Sequence, residues 1–445
     1  VTQIALRAFV VAAVTCALAD TARCVPEDPP PAPQPPVEPP VFASRRKGSG
    51  DAKTDAAVKA ALDWLSRHRE PADVDAGRWR LDFGSRCKGV ACGGEGLYWA
   101  DGGLGGTSLA LLAFLGAGET PAAGDYRAVV AAGLRQLIDG QSSDGCFGTR
   151  TQKSFLISHA LSLTAVAEAY WATKDAELLA AATKGRDFLL AARSKDLGWR
   201  YDYPGEGDCD SYVTTTAMVA LRTVELAGVE VPREAYDGGL RWFDMRTDEA
   251  TGRVGYLRLG GTDARLADVK DVPLGDVGDI PFVAHILKTD DVPTQPMYTS
   301  RISEKVLERF PVGPYSAATA GAAASRALCR GDKAAVELAS KALAAAPFKP
   351  DSFVDLHAAT FGSLFFAQTG GGVEWRKAAV SALLASQRPA TAGCAAGSWD
   401  PTIDPWGGVG GRVYATAMAA TALLAPTRFP KVWDPKAKKP PPKKK

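Results

Sequence analysis

Histidine is scarce in this chain, with four among 445 residues, and no Cys-x-x-Cys pair occurs. The first leaves little room for a His-rich metal centre, and the second argues against zinc ribbons and fingers, so neither metal nor cofactor is expected. Net charge is also scarce: 52 basic side chains against 50 acidic ones leave +2. No nucleic-acid partner is expected from such a balance. A phosphate loop, a Gly-x-Ser-x-Gly elbow and a His-Glu-x-x-His helix are all missing, which removes the most readable nucleotide, serine-hydrolase and metalloprotease signatures. Strand patterns are almost absent outside "RVGYLRLGG", and an apolar share of 46% suffices for a large helical core.

The ends differ from the middle. Residues 1–19 combine Arg7, a short apolar run and the small-residue pattern Ala17-Leu18-Ala19, the build of an export signal, with export to the periplasm or exterior as the expected localisation. The run is shorter than the roughly 20 residues of a spanning helix. Residues 20–51 hold "CVPEDPPPAPQPPVEPPVF", an extended linker by composition, and residues 427–445 end in "KAKKPPPKKK", a disordered basic tail. Association with a membrane or envelope through the N-terminal segment is the expected partner contact besides a small apolar ligand. Of the eight cysteines, Cys87 and Cys92 share one Gly-rich loop and form the best local pair; buried free thiols are the alternative.

Residues 52–426 repeat. Amphipathic helices such as "DAAVKAALDWLSRH" and "DYRAVVAAGLRQLIDGQ" alternate with helices apolar nearly all round, such as "GTSLALLAFLGAG" and "RVYATAMAATALLA". The first kind has one wet face and the second must be buried. Between them recurs a glycine followed by an aromatic, at Trp79, Phe147, Trp199, Tyr256 and Trp399, a period of roughly 50 to 70 residues that suits helical hairpins with long loops. About six hairpins follow, and the absence of a polar capping helix at either end favours a closed (α/α)6 toroid over an open solenoid.

"QSSDGCFG", "KDLGWRYDYPG" and "GSWDP" resemble the Gln-x-x-Asp-Gly-x-Trp/Phe signature of the prenyltransferase and squalene oxidase repeats, shared by squalene-hopene cyclases and protein prenyltransferase β subunits. "GGTSLALLAFLGAGET" and "GGRVYATAMAATALL" resemble exported bacterial members of that group. The resemblance implies an all-α toroid of terpenoid cyclase-like type and does not by itself imply a reaction. Setting the Thr-Ala of the cyclases' acidic run on Thr216 and Ala217 puts Tyr212, Thr214 and Thr215 where three acids belong. The zinc set of the prenyltransferases would fall on Asp210, Cys209 and His357, without the family's one-residue gap.

In such a ring the inner helices all start at one mouth, where their N–H groups favour anions. Asp101, Asp208, Asp210, Asp355, Asp400 and Asp404 all stand just before or at an inner helix, and helix capping alone would place Asp there. The catalytic candidates are Asp208, Asp210, His159 and His357. Asp101, Trp199, Tyr212, Asp355, Trp399, Asp400 and Tyr414 are the candidate ligand-binding residues. The leading expectation is a central cavity binding an apolar or isoprenoid-like ligand without the cyclase acid. A divergent lyase, cyclase or glycan-active enzyme using Asp and His at the mouth is the alternative, and a protein-binding scaffold is a third.

Overall fold

A computed structural model describes residues 38–70, 77–81, 86–87, 90–94, 104–150, 155–201, 203–205, 209–257, 317–348, 354–434 and 436. The chain divides into two units, residues 1–36, which lie outside the described residues, and residues 37–445, which contain everything below.

Thirteen helices are described: α1 (Pro40–Arg46), α2 (Ala52–Arg67), α3 (Leu104–Gly116), α4 (Arg127–Asp139), α5 (Phe155–Thr173), α6 (Ala176–Ala191), α7 (Ser211–Leu226), α8 (Arg233–Arg246), α9 (Ala317–Leu328), α10 (Lys333–Ala344), α11 (Leu356–Thr369), α12 (Val373–Ser386) and α13 (Gly407–Arg428). One two-residue ribbon, β1 (Arg86–Cys87) with β2 (Val90–Ala91), is the described sheet. The apolar helices α3, α5, α7, α9, α11 and α13 each pack on the next, and α13 packs back on α3, so they form a closed inner ring. Helices α2, α4, α6, α8, α10 and α12 lie outside it, each against an inner helix. The pattern of one-faced and all-round apolar helices therefore builds the (α/α)6 toroid. No described helix is long and apolar enough to cross a membrane.

Among the described residues, the glycine–aromatic region acts as a staple in several hairpins. The main-chain N–H of Trp79, Trp199, Val254 and Trp399 donates to a threonine hydroxyl near the start of the following inner helix: Thr107, Thr214, Thr319 and Thr416, at 3.0–3.1 Å. The three indole N–H groups reach the other way, to the carbonyls of Leu65, Leu189 and Leu383 in the last turns of the preceding outer helices, at 2.7–2.8 Å. Carbonyls in the last turn of a helix lack the full set of intrahelical N–H partners, and the indole supplies a donor there. One residue thus satisfies the end of one helix and the beginning of the next. The fourth mark falls on Val254 rather than the expected Tyr256, whose carbonyl instead accepts from Ser211 N–H.

Ring closure uses the same chemistry. Gln141 Nε2 donates to Gly145 O and to Ala181 O of α6, and Gln387 Nε2 donates in the same way to Gly397 O and to Ala57 O of α2. The last loop therefore binds the first outer helix as the Gln141 loop binds α6. Gly397 has φ +86°, and a Cβ there would lie 2.5 Å from Ala60 O; only glycine allows so close an approach. A Cys92–Cys394 disulfide, spanning 302 residues, crosses the same seam. It replaces the expected Cys87–Cys92 pair, because closure brings the two ends of the ring together, which local spacing does not reveal.

The opposite end of the ring, where the inner helices end, carries a buried charge cluster. Glu168 of α5 accepts from Arg45 (3.3 Å) and Arg428 (2.6 Å), and all three are buried. Arg45 also donates to Leu115 O and Arg428 to Leu112 O, placing cations on the carbonyl end of α3. Burial outweighs Glu168 at Arg45 and lowers its pKa to about 10. Helix α1 lies inside the segment expected to be linker, and Phe42 packs edge-on to Trp171. Beyond residue 426, Val432 N–H donates to Gln368 Oε1 and Gln368 Nε2 donates to Pro430 O, so the expected tail begins with ordered chain.

Replacing Thr214 by valine keeps shape but strands the Trp199 N–H and removes one of the two donors to the Trp199 C=O, which keeps only the Asp210 N–H. The Thr214→Val variant should lose about 1–3 kcal/mol in urea unfolding. A loss within about 0.5 kcal/mol, the range of neutral surface changes, would refute the staple's role.

Candidate functional site

Helix starts position the candidate site. Asp355 caps α11, accepting from Ala358 N–H at 3.0 Å, and His357 lies in the first turn that this cap holds. Asp210 caps α7 through Val213 N–H at 2.7 Å, two residues before Tyr212. Helix α13 is broken at Gly411 (φ 67°, ψ −168°), a conformation open to glycine, so the regular turns begin at Arg412 with Tyr414 just inside. Arg412 N–H bonds Gly94 O at 2.7 Å across the seam.

These three helices deliver one hydrogen-bonded chain. Asp404, which follows a 3-10 turn at Pro401–Ile403, accepts from Leu356 N–H (2.8 Å) and Trp406 N–H (2.7 Å). The Tyr414 hydroxyl donates to the same carboxylate at 3.1 Å. Having spent its proton there, the Tyr414 oxygen is the acceptor for His357 Nδ1, 3.2 Å away. His357 Nε2 is then left with its lone pair facing the Tyr212 hydroxyl at 2.7 Å. The polarity runs one way: Asp404, Tyr414, His357, Tyr212. Asp404 is buried, His357 and Tyr414 are nearly so, and Tyr212 is half-buried, making it the relay's outer end. Phe361 lies beside it, with ring centroids 6.5 Å apart.

The remaining candidates separate from this group. His159 is fully buried: Nδ1 accepts from Phe147 N–H at 3.0 Å and Nε2 bonds Gly185 O at 3.0 Å. It occupies the threonine position of the hairpin staple, and burial lowers its pKa to about 3. Such a neutral, doubly bonded imidazole does not serve as a mouth base. Trp199 and Trp399 are likewise fully buried staples, with no face toward a ligand. Asp210 and Asp355 are buried caps. Burial pushes the Asp210 carboxyl up to about 7, against the lowering effects of the Val213 N–H, Arg200 and Tyr256. Asp400 caps the 3-10 turn through Thr402 and pairs with Arg412 at 3.2 Å. Burial raises its pKa, but Thr402 and Arg412 outweigh burial and leave it below the ordinary value. Asp101 and Asp208 lie outside the described residues.

The zinc set of Asp210, Cys209 and His357 does not assemble: both His357 nitrogens face tyrosines, and Asp210 Oδ1 is engaged by α7. Among the described residues the one His/Cys/Asp/Glu group compact enough to hold a metal is His68, Cys92 and Cys394. Asp404 is the relay member that the sequence names as a helix-start acid without assigning it a site. Its signal was the "DPTIDPW" turn before the last inner helix, which reads equally well as capping.

No protein-family model matches the chain, and no curated protein matches it. Among solved structures it is similar to an inactive variant of an α-1,6-mannanase of Salegentibacter sp. HEL1_6 in complex with α-1,6-mannotriose, at 12% identity and TM-score 0.47 over 83% of this chain and 99% of that one. It is also similar to cellobiose 2-epimerase from Spirochaeta thermophila DSM 6192, at 16% identity and TM-score 0.46 over 87% and 98%. A protein from Actinoplanes matches at 17% identity and TM-score 0.38 over 84% and 98%. Likeness at these levels concerns the arrangement of helices and says nothing of chemistry.

Proposed function

We propose that the mouth of the toroid is a general acid–base centre, and that the chain is an enzyme acting on a polar, hydroxylated substrate of the glycan class. The carrying observation is the Asp404–Tyr414–His357–Tyr212 relay. His357 takes the Tyr212 proton as substrate gives one up, the Tyr414–Asp404 pair holds the imidazole in the required tautomer, and the developing charge is shared along the chain. Tyr212 and Phe361 offer aromatic faces against which a sugar ring can lie. Proton transfer of the lyase kind fits better than hydrolysis by paired carboxylates, because Asp404 and Asp355 are both buried and committed to main-chain N–H groups.

The polar relay favours this reading over the apolar-ligand reading, which gives no task to a tyrosine–histidine–tyrosine–aspartate series. Terpenoid cyclase-like kinship, on the "QSSDGCFG" and "GSWDP" marks, belongs to the same proposal. In this structure those marks act as hairpin staples and carry no chemistry. Export is also part of the proposal, supported by the Cys92–Cys394 disulfide, which persists best in an oxidising compartment.

Turnover of a panel of neutral and uronate-containing oligosaccharides, followed by mass spectrometry, tests the relay. On whichever substrate the wild type converts, Tyr212→Phe should lower kcat by about 10²–10⁴-fold with little change in KM. An unchanged kcat contradicts the proposal. So does a lipid co-purifying with the protein when no oligosaccharide is converted.

Asp210 predicts a pH dependence of stability. Its folded pKa of about 7 lies above the ordinary carboxyl value, so the folded state holds its proton more tightly than the unfolded one. The resulting stabilisation is complete below about pH 4 and is lost as pH rises toward 7. Thermal melts of Asp210→Asn, which keeps the capping oxygen, should lose this downward slope between about pH 4 and 7. Parallel Tm profiles for wild type and variant would contradict it.

A further inference from the structure

His68, Cys92 and Cys394 meet at the seam of the ring, with one ligand atom from each lying within 4.8 Å of the others. His68 comes from the end of α2, Cys92 from the loop after β2 and Cys394 from the loop before α13, so the group exists only because the ring closes. The histidine is already arranged as a ligand. Its Nδ1 is 2.7 Å from Trp64 O, an acceptor only, so Nδ1 carries the proton and Nε2 presents a lone pair. That lone pair faces Cys92 Sγ at 2.9 Å. Trp64 also stacks on the imidazole, with centroids 4.1 Å apart and planes 15° off parallel, and His68 as a whole is 4% exposed. A backbone carbonyl fixing one ring nitrogen while the other faces sulfur is the outer-shell arrangement that metal-bound histidines use.

We propose that His68, Cys92 and Cys394, when the two cysteines are reduced, form a Cys2His site for a soft divalent cation of the zinc class, which then replaces the disulfide as the clasp of the ring. A thiol or phosphine reductant supplies two electrons to the sulfur–sulfur bond and is itself oxidised, leaving two thiols. The cation then binds both sulfurs as thiolates and Nε2 as a neutral donor, releasing two protons to solvent. Three protein ligands leave the fourth tetrahedral position to water. The thiols stay close after reduction because the seam has other fastenings: Trp64 Nε1 donates to Cys394 O at 2.9 Å, and Gln387 Nε2 to Ala57 O at 2.9 Å. The expectation of no metal rested on the scarcity of histidine and on the missing Cys-x-x-Cys spacing. A site whose two sulfurs stand 302 residues apart leaves no such spacing to find.

The test uses the full chain, oxidised or reduced with a phosphine that ends as its oxide with oxygen from water. After anaerobic removal of reductant, the protein is titrated with Co²⁺ and then Zn²⁺. Reduced wild type should take up one equivalent of Co²⁺ with thiolate-to-cobalt charge-transfer absorption, which Zn²⁺ discharges, and the oxidised form should show none. His68→Asn, which keeps both cysteines and can be folded in the oxidised form before reduction, should bind about tenfold or more weakly. Cys394→Ser should lose the band. Absence of the band in reduced wild type would overturn the proposal. Undiminished binding by both variants would also overturn it, since the metal would then sit on other cysteines.

Discussion

The fold depends on one small interaction, the hydrogen bond from a loop N–H to a side chain in the first turns of the following inner helix. A helix that is apolar all round can slide or rotate inside a ring without losing much buried area, so burial alone does not set its register. The threonines at 107, 214, 319 and 416, with His159 in the equivalent place, set it by a directional bond. Where the loop residue is tryptophan, its indole N–H ties the same point to the outer helix before it. Each hairpin stapled in this way is locked to itself, the start of α11 is held instead by Asp355 and Asp404, and Gln141, Gln387 and the seam disulfide lock hairpins to their neighbours.

Register fixed in this way makes the two mouths unlike. At the carbonyl end, Arg45, Glu168 and Arg428 form a buried cluster that joins α1, α5 and α13. At the N–H end, capping aspartates hold the starts of α7 and α11, and the turn through Asp404 links the entry of α11 to that of α13. The catalytic proposal rests on that second end. Tyr212, His357 and Tyr414 are each close to the start of their helix, where a shift of one residue would turn them by about 100° away from each other. A site that demands such alignment is affordable only on helices whose register is pinned.

Much of the architecture was legible because it is periodic. Alternation of one-faced and all-round apolar helices, together with the recurring Trp79, Phe147, Trp199 and Trp399, required neither long-range contacts nor special chemistry to be seen. The candidate site was legible only in part. His357 and Tyr212 stand 145 residues apart, and their pairing follows from ring geometry that local pattern does not encode. His159 stood out for the opposite reason: a lone histidine in an apolar helix invites a catalytic role, while here it replaces a threonine in a structural staple. Trp199 and Trp399 were drawn toward the ligand because the repeat marks them, although the mark lies behind the inner wall. Tyr212 is the instructive case, since the residue standing where the resemblance places the first cyclase acid is the half-buried outer end of the relay.

The central claim is the direction of that relay, and the tautomer of His357 reports it. Two-bond ¹H–¹⁵N correlation spectra of the ¹⁵N-labelled protein near neutral pH, assigned with a His357→Gln variant, read which ring nitrogen holds the proton. His159, whose Nδ1 accepts a main-chain N–H, provides an internal reference in the Nε2–H form. The account predicts the Nδ1–H form for His357, with Nε2 unprotonated toward Tyr212. An Nε2–H tautomer would reverse the relay and contradict the assignment of Tyr212 as its proton-exchanging end.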